Sequence, residues 1–148
     1  MSELWNARVR LVAIAVAGTI GLVAGCASMQ AESTGQQIRL DGSQEVPPVT
    51  TAAYGTGVVN VMSDRSVTVT VSVVDMMPTA AHIHEAAKGA NGPVIVPLNK
   101  ISERAFVAPD NAKLTEAQYA SYKAGNLYVN VHSAKNPGGE VRAQLAGR

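Results

Sequence analysis

The chain has 148 residues, 12 of them basic and 11 acidic, with a formal net charge of +1 at pH 7. This length is enough for one domain and hardly for two. The balanced charge, with no block of basic residues, excludes the electrostatic pattern of a nucleic-acid-binding protein.

The first 25 residues resemble a secretory signal peptide. Arg8 and Arg10 form a positively charged start, and an apolar run over residues 11–24 follows. This run is shorter than the about 20 residues that comfortably span a membrane. The segment therefore predicts export, with a plain secretory signal or a single N-terminal membrane anchor as alternatives to a lipoprotein signal.

Val23-Ala24-Gly25-Cys26 resembles the bacterial lipobox, whose cysteine is lipidated and becomes the new N-terminus. Cys26 is the only cysteine of the chain. Acyl chains on it would anchor the protein in a membrane without a spanning helix. Ala27 follows, and by the usual sorting rule a residue other than Asp there favours the outer membrane, on its periplasmic side or at the cell surface. We therefore expect a lipoprotein signal peptide at 1–25, a polar tether at 26–37 and a β-domain at 38–148.

Short β-type runs separated by Gly and Pro fill the rest of the chain. The clearest is "SVTVTVSV" at 66–73, in which Val alternates with Ser or Thr. We predict strands at 38–40, 55–62, 66–73, 80–84, 93–98, 102–107, 127–132 and 140–145.

One segment is helical in pattern. Thr115 and Gln118 have the spacing of a capping box, and Gly125 is a natural helix stop. We predict a helix at 116–124. Many short strands with one brief helix predict an all-β protein, an immunoglobulin-like or Greek-key antiparallel sandwich or barrel.

Strand alternation places all three histidines on polar faces. His82 and His84 point the same way, with Ile83 opposite, while His132 shares a face with Asn130 and Tyr128. Three imidazoles on neighbouring strands can bind one copper or zinc ion and leave a position open. Glu85, Glu140, Asn130 and Arg142 are candidates to support them through outer hydrogen bonds or charge.

A structural role is the alternative for these histidines. His82 and His84 would then hydrogen-bond to the backbone of the loop "EAAKGANG", and His132 would cap the turn "SAKNPGG". The residues alone leave both readings open.

Three motifs resemble the CHRD domain, which is named after chordin and is also found in exported bacterial proteins. They are "LDGSQEVPPV" at 40–49, "AAHIHE" with "NGPV" at 80–94, and "YVNVHSAKNPGGEVRAQL" at 128–145. The resemblance implies an immunoglobulin-like β-barrel or sandwich and implies little about activity.

A weaker likeness is to copper–zinc superoxide dismutase, through "HIHE" and the late "GGEVR". Three histidines are too few for both of that family's metal sites, and its cysteine pair is missing. We therefore expect a lipid-anchored binding protein of the cell envelope rather than an enzyme. The ligand we expect first is one copper or zinc ion. The rival is a structural or adhesive module without metal, which contacts an envelope protein or a glycan, and a superoxide-dismutase-like copper oxidoreductase is a minor alternative.

Overall fold

The computed structural model describes residues 35–148. The predicted signal peptide, Cys26 and most of the predicted tether lie outside these residues. The described part holds nine strands and one α-helix. The strands are β1 (Gln36–Asp41), β2 (Tyr54–Val61), β3 (Val67–Val74), β4 (Pro78–Glu85), β5 (Val94–Pro97), β6 (Asn99–Ser102), β7 (Ala105–Val107), β8 (Leu127–Ser133) and β9 (Val141–Gln144), and the helix is α1 (Glu116–Lys123).

The nine strands form one antiparallel sheet in the order β5-β4-β8-β9-β1-β2-β3-β7-β6. Its edge strands β5 and β6 are consecutive in the chain and are separated only by Leu98. The Leu98 N–H donates to the carbonyl of Ala81 at 3.0 Å, and Lys100 Nζ donates to the carbonyl of Pro78 at 2.8 Å. These bonds bring the two edges to the same strand, so the sheet is a nearly closed barrel, and the predicted all-β class is confirmed.

The core lies inside this sheet and follows the alternation of the sequence. In β3 the side chains of Val67, Val69, Val71 and Val73 are buried, and those between them are exposed. Burying each such side chain stabilises the fold by about 1.5–3 kcal/mol.

Helix α1 begins with the predicted capping box. Thr115 Oγ1 accepts from the Gln118 N–H at 3.2 Å, and Gln118 Oε1 accepts from the Thr115 N–H at 2.8 Å. Gly125 follows the helix in a left-handed conformation with φ 76°. Ser121 Oγ donates to Glu85 Oε1 at 2.5 Å, which ties the helix to β4.

One feature differs from the sequence prediction. Strand β6 (Asn99–Ser102) was not predicted, because all four side chains are exposed and show no alternation. The sequence also left open whether the polar faces of β8 and β9 are solvated. They are buried: Asn130 is 2 % exposed and Arg142 is 1 % exposed. Loops over residues 86–93 and 134–140 cover these faces, so a second, polar layer lies outside the hydrophobic core.

In the part of the chain that the structure describes, no helix is both long and apolar enough to cross a membrane.

Candidate metal centre

Strands β4 and β8 place the three histidines on one face. The strands pair directly, with His82 opposite Asn130, His84 opposite Tyr128, and His132 opposite Ala80. Ile83, between the first two histidines, is 1 % exposed and packs in the core. The histidines therefore point away from the core into the covered polar layer, as alternation predicts.

The three imidazoles form a compact group, which we call the histidine cluster. One ring nitrogen from each of His82, His84 and His132 lies within 4.8 Å of those from the others. The nearest pair is His82 Nδ1 and His132 Nε2, at 2.9 Å. The structure thus brings together all three predicted ligands.

Two backbone carbonyls fix the tautomers of this cluster. His84 Nδ1 lies 2.9 Å from the carbonyl oxygen of Gly92, and His132 Nδ1 lies 2.9 Å from that of Pro137. A carbonyl oxygen only accepts, so both Nδ1 atoms carry the proton and both Nε2 atoms keep a lone pair. His132 Nε2 then accepts its hydrogen bond from His82 Nδ1.

His84 Nε2 is left without a partner. The residue is 8 % exposed, and this nitrogen is buried and makes no hydrogen bond within residues 35–148. An unpaired buried acceptor costs about 1–3 kcal/mol. A metal ion bound to this lone pair would remove that cost.

The protonation state suits metal binding. Burial lowers the pKa of His82 to about 4, helped by repulsion from His132 and His84. Burial also lowers the pKa of His132. Both rings are therefore neutral near pH 7, and the neutral imidazole is the form that binds a metal.

A bound ion requires a small rearrangement of the cluster. Two nitrogens about 2.0–2.1 Å from a tetrahedral metal lie about 3.3 Å apart. The 2.9 Å hydrogen bond between His82 and His132 would have to open slightly, and the proton on His82 Nδ1 would have to move to Nε2 so that Nδ1 can bind the ion. His84 would have to move inward. Three imidazole nitrogens fill three positions and leave a fourth for water or another ligand.

His84 is supported by a stack of rings. The Tyr128 ring lies parallel to the His84 imidazole with centroids 4.8 Å apart, and the Arg142 guanidinium carbon lies 3.3 Å from the Tyr128 centroid. Arg142 also donates to the carbonyl of Ala90 at 2.8 Å and to Asn91 Oδ1 at 3.1 Å. The same residue therefore supports the His84 ring and holds the 86–93 loop that supplies the Gly92 carbonyl.

His132 is supported by the 134–140 loop, and Glu140 braces that loop. Glu140 accepts hydrogen bonds from the hydroxyl groups of Ser133 and Thr51, the latter at 2.8 Å. Burial opposes ionisation of Glu140, but these bonds outweigh it and hold its pKa below the usual value. The carboxylate thus positions the turn that carries the Pro137 carbonyl.

The four predicted supporting residues act at different distances from the cluster. Arg142 reaches His84 through Tyr128, and Asn130 lies opposite His82 in the strand register. Glu140 braces the His132 loop, while Glu85 binds Ser121 of the helix. No hydrogen bond joins any of the four to an imidazole among the described residues, where the backbone carbonyls of Gly92 and Pro137 take that place.

The sequence does not reveal these two carbonyls or the stacking of Tyr128 on His84. A backbone acceptor has no side-chain signature, although both lie in turns rich in Gly and Pro, "GANGP" and "KNPGG". The only available signal for Tyr128 was its place two residues from Asn130 on the face that the histidines share.

A family model for the CHRD domain matches residues 36–145, which is most of the chain. The chain belongs to the CHRD domain family. The match starts at the first residue of β1 and ends just after β9, so it includes every described strand of this CHRD domain and all three histidines. No curated protein and no solved structure matches the chain.

Proposed function

We propose that this CHRD domain binds one copper or zinc ion through His82, His84 and His132. The observation that carries the proposal is the buried and unpartnered Nε2 of His84. The same imidazole has a ring nitrogen within 4.8 Å of a nitrogen from each of the other two histidines. Imidazole nitrogen suits both Cu(II) and Zn(II). The Nδ1 bonds to carbonyls leave the Nε2 lone pairs of His84 and His132 for a metal, which would displace the hydrogen bond that His132 Nε2 accepts from His82.

The rival function is a structural or adhesive envelope module without metal. The bonds from His84 to Gly92 and from His132 to Pro137 fit it, because they hold two loops in place. They use only Nδ1 and do not compete with a metal at Nε2. The rival gives no reason for an unpaired acceptor at His84, and for that reason we favour the metal.

A superoxide-dismutase-like copper oxidoreductase is not the function we propose. The chain has three histidines, which form one cluster. They are too few for separate copper and zinc sites, so we propose a binding protein.

Metal-dependent stability tests the proposal. Full-length protein is stripped with chelator and melted with and without Cu(II) or Zn(II). A metal at a hundred times its Kd adds about 2.7 kcal/mol to the free energy of unfolding, a rise in Tm of about 10 °C. His82→Gln is the cleanest variant, because the His82 hydrogen bond runs within the cluster and supports no loop.

His82→Gln should keep the metal-free Tm and lose most of the metal-induced rise. The exposed Glu103→Gln serves as control and should keep both. An equal rise in His82→Gln and in the unmodified protein would contradict the three-histidine site.

We also propose that the protein is a lipoprotein anchored through Cys26 in the outer membrane. The support is the Val23-Ala24-Gly25-Cys26 motif after an apolar run. Cys26→Ser or globomycin should block maturation and leave a precursor about 25 residues longer, visible on a gel. Normal processing under both treatments would count against lipidation.

A further inference from the structure

A cleft lies near the histidine cluster, between the 43–48 segment and the 86–93 loop. Its volume is ≈ 510 Å³, within the range of small-molecule sites. Val46 and Pro48 contribute apolar wall, while Glu45, Lys88 and Arg142 contribute charged groups. We call it the Glu45 cleft.

Glu45 is the unusual group in this cleft. It is 5 % exposed, and its Oε1 is buried with no hydrogen-bond partner. Its carboxyl group makes no other hydrogen bond or ion pair within residues 35–148. A buried carboxylate without a partner is strongly unfavourable, so a site that retains one points to a donor supplied from outside.

Arg142 does not supply this donor, although it lines the same cleft. Its Nη1 donates to Asn91 Oδ1, and its Nη2 donates to the carbonyl of Ala90 and to Gln144 Oε1. Its face lies against Tyr128. Three of the five guanidinium N–H groups are therefore used by the 86–93 loop and by Gln144, and none of the five makes a hydrogen bond to Glu45 in the described structure.

Gly139 leaves room at the inner end of the Glu45 side chain. A Cβ atom there would lie 2.5 Å from Glu45 Oε1 and 2.7 Å from Asn130 Nδ2, and the glycine has φ 132°. Asn130 Oδ1 is also buried without a partner. Two acceptors thus lack donors in the same region of the structure.

The charged side chains of the cleft indicate which kind of donor group would bind Glu45. A divalent cation needs several oxygen ligands and carboxylates, whereas this cleft offers one carboxylate beside two positive side chains. An organic ammonium group needs only one carboxylate. Lys88 makes no hydrogen bond or ion pair within the described residues, so it remains able to attract a negative group on the same ligand.

We propose that the Glu45 cleft binds a small amino-carboxylate, with its ammonium group against Glu45 and its carboxylate toward Lys88. Val46 and Pro48 contact the carbon chain between the two charges. This site does not depend on the metal centre and assigns the protein a second ligand.

Ligand binding at this site should release a proton from Glu45, which makes the affinity depend on pH. Burial raises the pKa of Glu45 to about 7, an effect that the charge of Arg142 only partly offsets. An ammonium group beside the carboxyl favours its ionised form, so binding below pH 7 displaces a proton. Affinity should fall about tenfold between pH 8 and pH 6.

Calorimetry on metal-stripped, full-length protein tests the proposal with three probes of equal length. At pH 8 we expect 6-aminohexanoate to bind with Kd on the order of 1 mM or tighter. Hexylamine should bind several-fold more weakly, because it lacks the group for Lys88, and hexanoate should not bind. Glu45→Gln should weaken 6-aminohexanoate binding at least tenfold, while the exposed Glu103→Gln should leave it unchanged.

Three results would overturn the proposal: no heat with 6-aminohexanoate, equal binding by Glu45→Gln, or hexanoate binding as tightly as 6-aminohexanoate. If 6-aminohexanoate gives no heat, the remaining explanation of both unpaired oxygens is that Glu45 is protonated and donates a hydrogen bond to Asn130 Oδ1. If Glu45→Gln fails to fold, carboxyl NMR on the unmodified protein decides. Adding 6-aminohexanoate should shift the titration midpoint of Glu45 to lower pH, and an unchanged midpoint would contradict the proposed site.

Discussion

At the scale of single residues, Arg142 connects more of the functional region than any histidine does. It holds the 86–93 loop, lies on Tyr128 and lines the Glu45 cleft. Strand alternation placed it on the face of the histidines, but its contacts depend on loops whose path alternation does not determine.

Arg142→Met should weaken metal binding without touching a ligand. The substitution removes the stack behind Tyr128 and releases the loop that fixes the His84 tautomer, and loss of such outer contacts lowers metal affinity about 10–100-fold. Calorimetric titration of Cu(II) or Zn(II) measures this. Arg39→Met is the matched control, since Arg39 is exposed and also lies over a tyrosine, Tyr54, at 4.9 Å. Folded Arg142→Met with unchanged affinity would show that the stack does not support the site.

Glu45→Gln should change the pH dependence of stability. Because the pKa of Glu45 is raised in the folded state from 4.5 to about 7, the unmodified protein loses stability as pH rises through this window. The variant has no such loss, so we expect it to gain about 1–3 kcal/mol relative to the unmodified protein between pH 4.5 and pH 8. Urea unfolding at several pH values measures the difference.

Glu140→Gln provides a control of opposite sign. The lowered pKa of Glu140 stabilises the fold above pH 4.5, and that contribution is lost as pH falls below it. Its replacement should therefore destabilise the protein most near neutral pH. If stability changed with pH in the same direction in Glu45→Gln and Glu140→Gln, the opposite pKa shifts assigned to the two carboxyl groups would be wrong.

At the scale of strands and the helix, local pattern predicted what local physics determines. The Val alternation of β3 and the Thr115–Gln118 capping box need only neighbouring residues, and both were found as predicted. Strand β6 and the burial of Arg142 arise from long-range packing, so no local sequence pattern predicts them. Strand alternation placed the three histidines on the polar faces of their strands, but only the pairing of β4 with β8 makes them neighbours.

The core face of β3 should dominate its contribution to stability. Val71 is fully buried, whereas Val74 in the same strand is 37 % exposed. Val71→Ala removes two buried methyl groups and leaves a cavity, at a cost of about 2–3 kcal/mol. Val74→Ala should cost less than about 0.5 kcal/mol. Denaturant midpoints measure both, and equal costs would mean that the two faces are wrongly assigned.

At the scale of the whole molecule, the barrel carries two layers of different chemistry. The inner layer is apolar and holds the sheet closed. The outer layer, under the 86–93 and 134–140 loops, gathers the histidine cluster, Arg142 and the Glu45 cleft. The three motifs of the family resemblance contribute to this outer layer, which accounts for their distance in sequence. A metal bound there would join β4, β8 and their loops into one unit.

X-ray absorption on the protein loaded with copper or zinc reports the ligands of the metal and therefore tests the three-histidine site itself. The three-histidine site predicts one metal per chain, with about three imidazole nitrogens at about 2.0–2.1 Å and no sulfur ligand. His82→Gln should lose one imidazole from the signal or lose the metal. A signal with no imidazole scattering, or one unchanged in His82→Gln, would contradict the account.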